Sequence, residues 1–215
     1  MQLLLASRNR DKLKELTALL QDLQLDALSL ADMPNLPGVV EDGATIRDNA
    51  VKKAVQIARM AKKLTLADDT GLEVDALKGE PGVRSARFAG DEATYHENNK
   101  KLLKLLEGVV YEKRTARFRC VVAIADENGL YDSVEGICNG MILEAERGGS
   151  GFGYDPLFLA DGQTKTFAEL SPEVKNRISH RAKAMQKAWA LLSRYLREKS
   201  GGRDDTPVPP RRERA

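Results

Sequence analysis

The chain has 215 residues with 42% hydrophobic content, enough for one sizeable core and hence one globular unit. Its 34 Lys and Arg stand against 32 Asp and Glu, a net charge of +2 that argues against nucleic-acid binding through bulk charge. Cys120 and Cys138 are too far apart for a C-x-x-C unit and too few for a disulfide framework, so a reduced, cytoplasmic setting is expected.

In chain order, Leu3 to Ala6 reads as a buried first strand, because the apolar run is too short for a signal segment or a membrane span. Polar Ser7-Arg8-Asn9-Arg10-Asp11 follows, then Leu13, Leu16, Leu19 and Leu20 at helical spacing. Thr45 is the expected N-cap of a helix whose Ile46, Ala50, Ala54, Ile57, Ala58 and Ala61 mark one face. Leu64 to Ala67 is the next strand, running into an acidic turn, Asp68-Asp69-Thr70-Gly71. Beyond it Leu72, Val74 and Ala76 alternate with Glu73 and Asp75 as in a half-buried strand. Gly79, Pro81, Gly82 and Gly90 punctuate a long irregular stretch before a helix from about Glu92 to Leu106. Arg117 to Ala125 and Leu130 to Leu143 flank Asp126-Glu127-Asn128-Gly129, a hairpin turned at Asn-Gly. Gly148 to Gly153 reads as a flexible loop, Leu157 to Leu159 as a short strand, and Met185, Trp189, Leu192 and Leu196 as the stripe of a last helix. From about Ser200 onward Gly, Pro and Arg dominate, and a disordered tail is expected over 200–215.

No glycine is followed by lysine, which excludes a P-loop, and Gly149, Gly151 and Gly153 have the wrong spacing for a dinucleotide fingerprint. With only His96 and His180, a multi-histidine metal site is not available, and carboxylates remain as the metal ligands on offer. Asp68 and Asp69 lie at the carboxyl end of a predicted strand, where open α/β sheets bind ligands. They suit Mg²⁺, which takes one or two carboxylates and completes its shell with water and phosphate oxygens; the alternative is a plain Asx turn. Successive strand side chains point to opposite faces, so both acids serve one site only if the chain bends, which Gly71 permits. Glu41, ahead of a helix start, either favours the helix dipole or completes a metal site.

Ser7, Asn9 and Lys12 occupy a strand-to-helix loop whose donors can converge on phosphate oxygens, or can simply cap and solvate a helix. Gly151-Phe152-Gly153-Tyr154-Asp155 offers aromatic faces on which a base can stack. Lys175 and Arg181 would lie about 240° apart on one uninterrupted helix, so they meet at a single ligand only if the helix breaks; Ser179 is a good N-cap for a new helix at His180.

These segments together closely resemble the inosine triphosphate pyrophosphatase family, also called dITP/XTP pyrophosphatases. The marks are Ser7-x-Asn9-x-x-Lys12, Glu41-x-Gly43 with Asn49-Ala50 and Lys53-Ala54, Ala67-Asp68-Asp69-Thr70-Gly71-Leu72, Pro81-Gly82, Ser85-Ala86-Arg87, Phe152-Gly153-Tyr154-Asp155-Pro156 and Ser179-His180-Arg181. The resemblance implies an α/β fold with an elongated mixed β-sheet flanked by helices, a single two-lobed domain over 1–199, and a cleft between the lobes. It also implies a homodimer and Mg²⁺-dependent hydrolysis of ITP, dITP and XTP to the monophosphate and pyrophosphate, with no nucleic-acid or membrane partner. Carried over, Asp69 is the general base and a metal ligand, with Glu41 and Asp68 assisting the metal. Ser7, Arg8, Asn9, Arg10, Asp11, Lys12, Thr70 and Lys175 hold phosphates and sugar, while Phe152, Gly153, Tyr154, Asp155, His180 and Arg181 hold the base. Three positions depart from the family pattern: Thr70 for the usual serine, Asp11 where glycine is frequent, and Arg84 for a common aromatic. The alternative function is a nucleotide-sensing module that binds without turnover.

Overall fold

The computed structural model describes residues 2–21 and 25–199, so the tail expected over 200–215 lies outside the described residues. The opening apolar run forms β1 (Gln2–Leu5), and the leucine-spaced segment after it forms α1 (Arg10–Leu20). Asn9 starts that helix by accepting from the Asp11 and Lys12 backbone N–H groups, two of the donors that a helix start leaves open. β2 (Asp26–Ser29) pairs parallel to β1, a short strand that the periodicity of the sequence does not reveal. α2 (Ile46–Ala61) begins at the expected Thr45, in a reciprocal capping box with Asp48.

The acidic turn is corrected by β3 (Thr65–Val74), in which Asp68 to Gly71 form the middle of one strand. It pairs with β4 (Thr115–Asp126) in unbroken antiparallel register, from Thr65 opposite Ala125 to Val74 opposite Ala116. Asp, Thr and Gly favour turns locally, but the continuous ladder with β4 along the whole segment outweighs that preference. Gly71 is not a bend. A Cβ there would lie 2.4 Å from the Gly82 carbonyl oxygen, so the glycine lets a 3-10 turn (Gly82–Arg87) press onto the strand. That turn orders part of the stretch read as irregular. The strand ends at Val74, and Asp75–Leu77 form another 3-10 turn instead of continuing the alternation through Ala76.

α3 (Tyr95–Leu105) starts three residues later than expected, at a Thr94–Glu97 capping box. β5 (Gly129–Ile142) makes the expected hairpin with β4, and β6 (Phe158–Ala160) pairs antiparallel to it. α4 (Pro172–Ile178) and α5 (His180–Lys199) complete the described chain. The six strands form one mixed sheet in the order β2-β1-β3-β4-β5-β6, with helices on both faces: an α/β fold. No helix among the described residues is long and apolar enough to cross a membrane.

Alternation along the strands sorts consecutive residues into different layers. Leu66, Cys120, Val122 and Ile124 pack under α1 and α5, whereas Ala67, Val121, Ala123 and Ala125 pack under α2. A further core, with Leu72, Val74 and Phe118, forms against Leu102 of α3 and Phe158 of β6. Asp68 therefore belongs to the α1/α5 side of the sheet and Asp69 to the α2 side.

Gly136 of β5 lies directly beneath α5, where a Cβ would sit 2.2 Å from the His180 carbonyl oxygen and 2.3 Å from the Ala184 nitrogen. Gly136→Ala is expected to displace the helix and lower unfolding free energy by about 3 kcal/mol, the upper end of the overpacking range. Urea titration followed by far-UV circular dichroism reads this directly; an unchanged midpoint would show that strand and helix accommodate a methyl group there.

Candidate active site

A cavity of about 370 Å³ opens where the loop after β1, the middle of β3, the Phe152 loop and the start of α5 converge. This size suits a small ligand. Of the residues singled out from sequence, Ser7, Arg8, Asn9, Lys12, Glu41, Asp69, Thr70, Phe152, Gly153, Tyr154, Asp155, Lys175, His180 and Arg181 line it. Arg10 and Asp11 do not; they begin α1 outside the lining. Asp68 is also outside, buried behind the wall on the α1/α5 side.

Asp68 is committed to a buried ionic chain. The Arg181 guanidinium donates through Nε and Nη2 to Asp68 Oδ2 at 3.2 and 3.1 Å, and Nη2 also reaches Thr70 Oγ1 at 3.1 Å. Its Nη1 donates to Glu15. Lys12 Nζ stands 3.6 Å from Asp68 Oδ2. Lys175 Nζ is 2.7 Å from the other Glu15 oxygen and also pairs with Asp155. Burial alone would raise the Asp68 carboxyl, but Lys12 and Arg181 outweigh it and hold Asp68 well below the usual carboxylate range.

The expected helix break makes this chain possible. Ser179 is extended (φ −67°, ψ 159°) between α4 and α5, and its Oγ accepts from the Ala182 N–H. Lys175 and Arg181 consequently reach the same carboxylate, Glu15. Most of the Arg181 fork is thus engaged by acidic partners and Thr70, while the residue still lines the cavity with its guanidinium 5.7 Å from the Phe152 ring centroid. His180 beside it stacks on Phe118, with ring centroids 4.5 Å apart, and its Nδ1 is buried without a hydrogen-bond partner. Burial, with Arg181 and Lys175 nearby, holds His180 well below its usual value, so the ring is neutral at neutral pH. A buried, unpaired ring nitrogen in a residue lining the cavity is a place for a ligand hydrogen bond.

The Phe152 loop is braced from within. Asp155 accepts from the Phe152 N–H at 2.9 Å and from Lys175, and Tyr154 is buried with its hydroxyl donating to the Ser85 carbonyl at 2.9 Å. A Cβ on Gly151 (φ +75°) would lie 2.3 Å from Asp155 Oδ2, so the loop needs glycine there. Asp155 and Tyr154 hold the loop's shape, and Phe152 is left as its open aromatic face.

On the other side of the sheet Asp69 has a different environment. Its Oδ1 accepts from the Thr70 N–H at 2.9 Å, and among the described residues it makes no ion pair. Burial raises its pKa and Glu41 adds to the rise, while Lys12 and Lys53 pull the other way. Glu41 accepts from Lys53 Nζ at 2.8 Å, and Arg87 donates to the Glu41 carbonyl at 2.9 Å. No group of three or more His, Cys, Asp or Glu is gathered for a metal among the described residues. Asp69 and Glu41 remain as an all-oxygen donor pair, which fits a hard cation that fills its shell with water and phosphate oxygens. Asp68 does not fit that role, because the sheet separates it from the pair and two cations already neutralise it.

Glu15, Lys53 and Tyr95 were not assigned roles from sequence. Lys53 carried a signal: it interrupts the apolar face of α2 between Ala50, Ala54 and Ile57, and it is buried there. Glu15 lies one turn from Lys12 on the same helix face, a spacing too common to single it out.

The chain matches the Ham1 family over residues 3–191. It is 54% identical to the dITP/XTP pyrophosphatase of Desulforamulus reducens, covering 90% of this chain and 96% of that protein. It is 49% identical to the dITP/XTP pyrophosphatase of Elusimicrobium minutum, over 87% of this chain and 97% of that one. Among solved structures, a HAM1 protein from Coxiella burnetii superposes with a TM-score of 0.81 at 38% identity, covering 90% and 99% of the two chains. The Staphylococcus aureus Ham1 protein gives 0.80 at 35% identity, covering 91% and 100%.

Glu15 supplies the test of the ionic chain. Its carboxyl is pulled below the usual range because Arg181 and Lys175 outweigh the effect of burial. Glu15→Gln is expected to cost about 3 kcal/mol at pH 7, as for one partner removed from a buried pair. The sign follows from the depressed folded-state pKa: the stabilisation is complete above about pH 4.3, the unfolded value, and fades as pH falls through the lower folded one. Urea melts of both proteins at pH 7 and near pH 3 should show the gap narrowing on acidification; a constant gap would remove ionisation from the explanation.

Proposed function

Since the chain belongs to the Ham1 family, we propose that it hydrolyses ITP, dITP and XTP to the monophosphate and pyrophosphate, cleansing the nucleotide pool. It is a hydrolase acting on phosphoric anhydrides; Mg²⁺ dependence, a homodimeric state, a cytoplasmic setting and a single two-lobed domain over 1–199 belong to the same reading. The observation that carries it is Asp69, a buried carboxylate on the cavity wall that no contacting cation neutralises.

In this reading Asp69 and Glu41 hold Mg²⁺, which when bound neutralises triphosphate charge. Asp69 takes the proton of the water that attacks the α-phosphorus, and pyrophosphate leaves on the opposite side. Asp68 and Asp69 outweigh burial to keep Lys12 protonated, so a fixed positive charge faces the phosphate chain. Ser7, Asn9 and Thr70 add neutral donors, and Lys53 is the second ammonium beside Asp69. Phe152 offers its face to the purine, while neutral His180 donates to a 6-oxo group. Adenine presents a 6-amino donor at that position, and two donors facing each other leave both unpaired, which disfavours ATP.

A panel of nucleoside triphosphates with Mg²⁺, scored for pyrophosphate against orthophosphate, tests the reaction; orthophosphate alone, or no turnover of ITP and XTP, removes it. Binding without turnover would favour a nucleotide sensor. Asp69→Asn is expected to lower kcat by about a thousandfold, within the general-base range, while nucleotide affinity stays within a few-fold. Because an amide replaces a carboxylate that burial disfavours, the variant should not melt below wild type.

A further inference from the structure

Tyr95, the first residue of α3, lies at the mouth of the cleft and is 40% exposed. Its hydroxyl is 3.1 Å from Asn9 Nδ2 and 3.4 Å from Asp11 Oδ2, and its ring centroid is 5.9 Å from that of Phe152. Its partners hang from different cores. Asn9 and Asp11 begin α1, which is anchored through Leu16, Leu19 and Leu20 beside α5. Tyr95 itself begins a helix anchored through Leu102 in the core that contains Phe158 of β6. One half-exposed side chain thus spans the gap between the phosphate-side loop and the aromatic loop.

The direction of its hydrogen bonds is fixed by chemistry. Asn9 Oδ1 is committed to capping α1, so its amide nitrogen faces Tyr95 as donor and the phenol oxygen accepts. The phenol proton is left for an acceptor, and Asp11 provides one. This accounts for a carboxylate just outside the cavity, where added negative charge near a phosphate site otherwise has no use.

We infer that Tyr95 is a positioning residue that latches the cleft mouth. Held by Asn9 and Asp11 on one side and packed on Phe152 on the other, it keeps the aromatic loop against the phosphate loop and slows escape of a bound nucleoside triphosphate. The cavity already measures about 370 Å³ with the latch made, so closure and occupancy are compatible. The inference rests on the substrate class proposed above.

Steady-state hydrolysis of ITP with Mg²⁺ is compared for wild type, Tyr95→Ala, Tyr95→Phe, Asp11→Ala and the Phe/Ala double variant. Hydrogen–deuterium exchange of the substrate-free proteins is measured in parallel. Tyr95→Ala is expected to raise KM about tenfold with kcat changed by less than about twofold. Tyr95→Phe keeps the ring but loses both hydroxyl bonds and should raise KM about fivefold; Asp11→Ala loses one of them and should raise it about threefold, and the double variant should go no further than Tyr95→Phe, because the bond to Asp11 is already absent there. Exchange at residues 9–12 and 94–98 should quicken in Tyr95→Ala while the melting temperature holds, since the side chain is too exposed to support the core. An unchanged KM in Tyr95→Ala, a fall in kcat alone, or additive effects of the two conservative changes would each overturn the latch. If wild type fails to turn over ITP and XTP, the substrate class falls instead. The exchange comparison then decides the latch by itself: faster exchange at both segments upholds it, and unchanged exchange rejects it.

Discussion

A guanidinium sealed inside a protein must be matched by carboxylates, and in this molecule the need to match Arg181 dictates where several elements can lie. Desolvating such a charge costs several kcal/mol, returned only when partners sit at good geometry. Here Asp155, Lys175, Glu15, Arg181, Asp68 and Lys12 form a chain in which acid and base alternate. It runs from the aromatic loop through α4, α1 and α5 to the centre of β3. Displacing any of these elements would strand a buried charge, so the chain fixes the Phe152 loop relative to the start of α1.

The same chain explains how two neighbouring aspartates acquire opposite characters. Strand geometry sends Asp68 toward α1 and α5, where Lys12 and Arg181 make it a permanent anion with a structural partner. Asp69, one residue on, faces α2 and the Glu41 segment, where burial and a second acid make its negative charge uncomfortable. A carboxylate held in that condition is a ready acceptor for a proton or a ligand for a cation. Its cost is tolerable because it is borne by a strand paired along its whole length with β4.

Much of the fold is written in local patterns. The leucine spacing of α1, the Thr45 cap of α2 and the β4–β5 hairpin are each decided by residues close in sequence and each is found, although the hairpin turns at Glu127-Asn128, one residue before the expected Asn-Gly, with Gly129 opening β5. The acidic segment misled because Asp, Thr and Gly have turn preferences, whereas its strand character comes from partners more than fifty positions away, such as Val122 opposite Asp68. β2 is short and half exposed, leaving no alternation to detect. In the site, many of the polar residues that line the cavity were legible through their chemistry. Glu15, which acts by pairing, was not, since a Glu on a helix is unremarkable until its neighbours in space are known; Lys53 showed only as a break in the apolar face of α2. The partners of Arg181 were hidden for the same reason: its acids come from α1 and β3, and nothing near it in sequence announces them.

The break at Ser179 places a constraint on how this chain can vary in length. Residues added to the turn between β4 and β5 would only lengthen a loop at the end of a hairpin. One residue inserted or removed within α4 after Lys175 is a different matter, because it turns Lys175 by about 100° relative to the break and to Arg181 beyond it, and parts the two cations from their common carboxylate. Natural and engineered variants of this molecule should therefore tolerate insertions at Asp126 to Gly129 and keep the spacing across Ser179 unchanged.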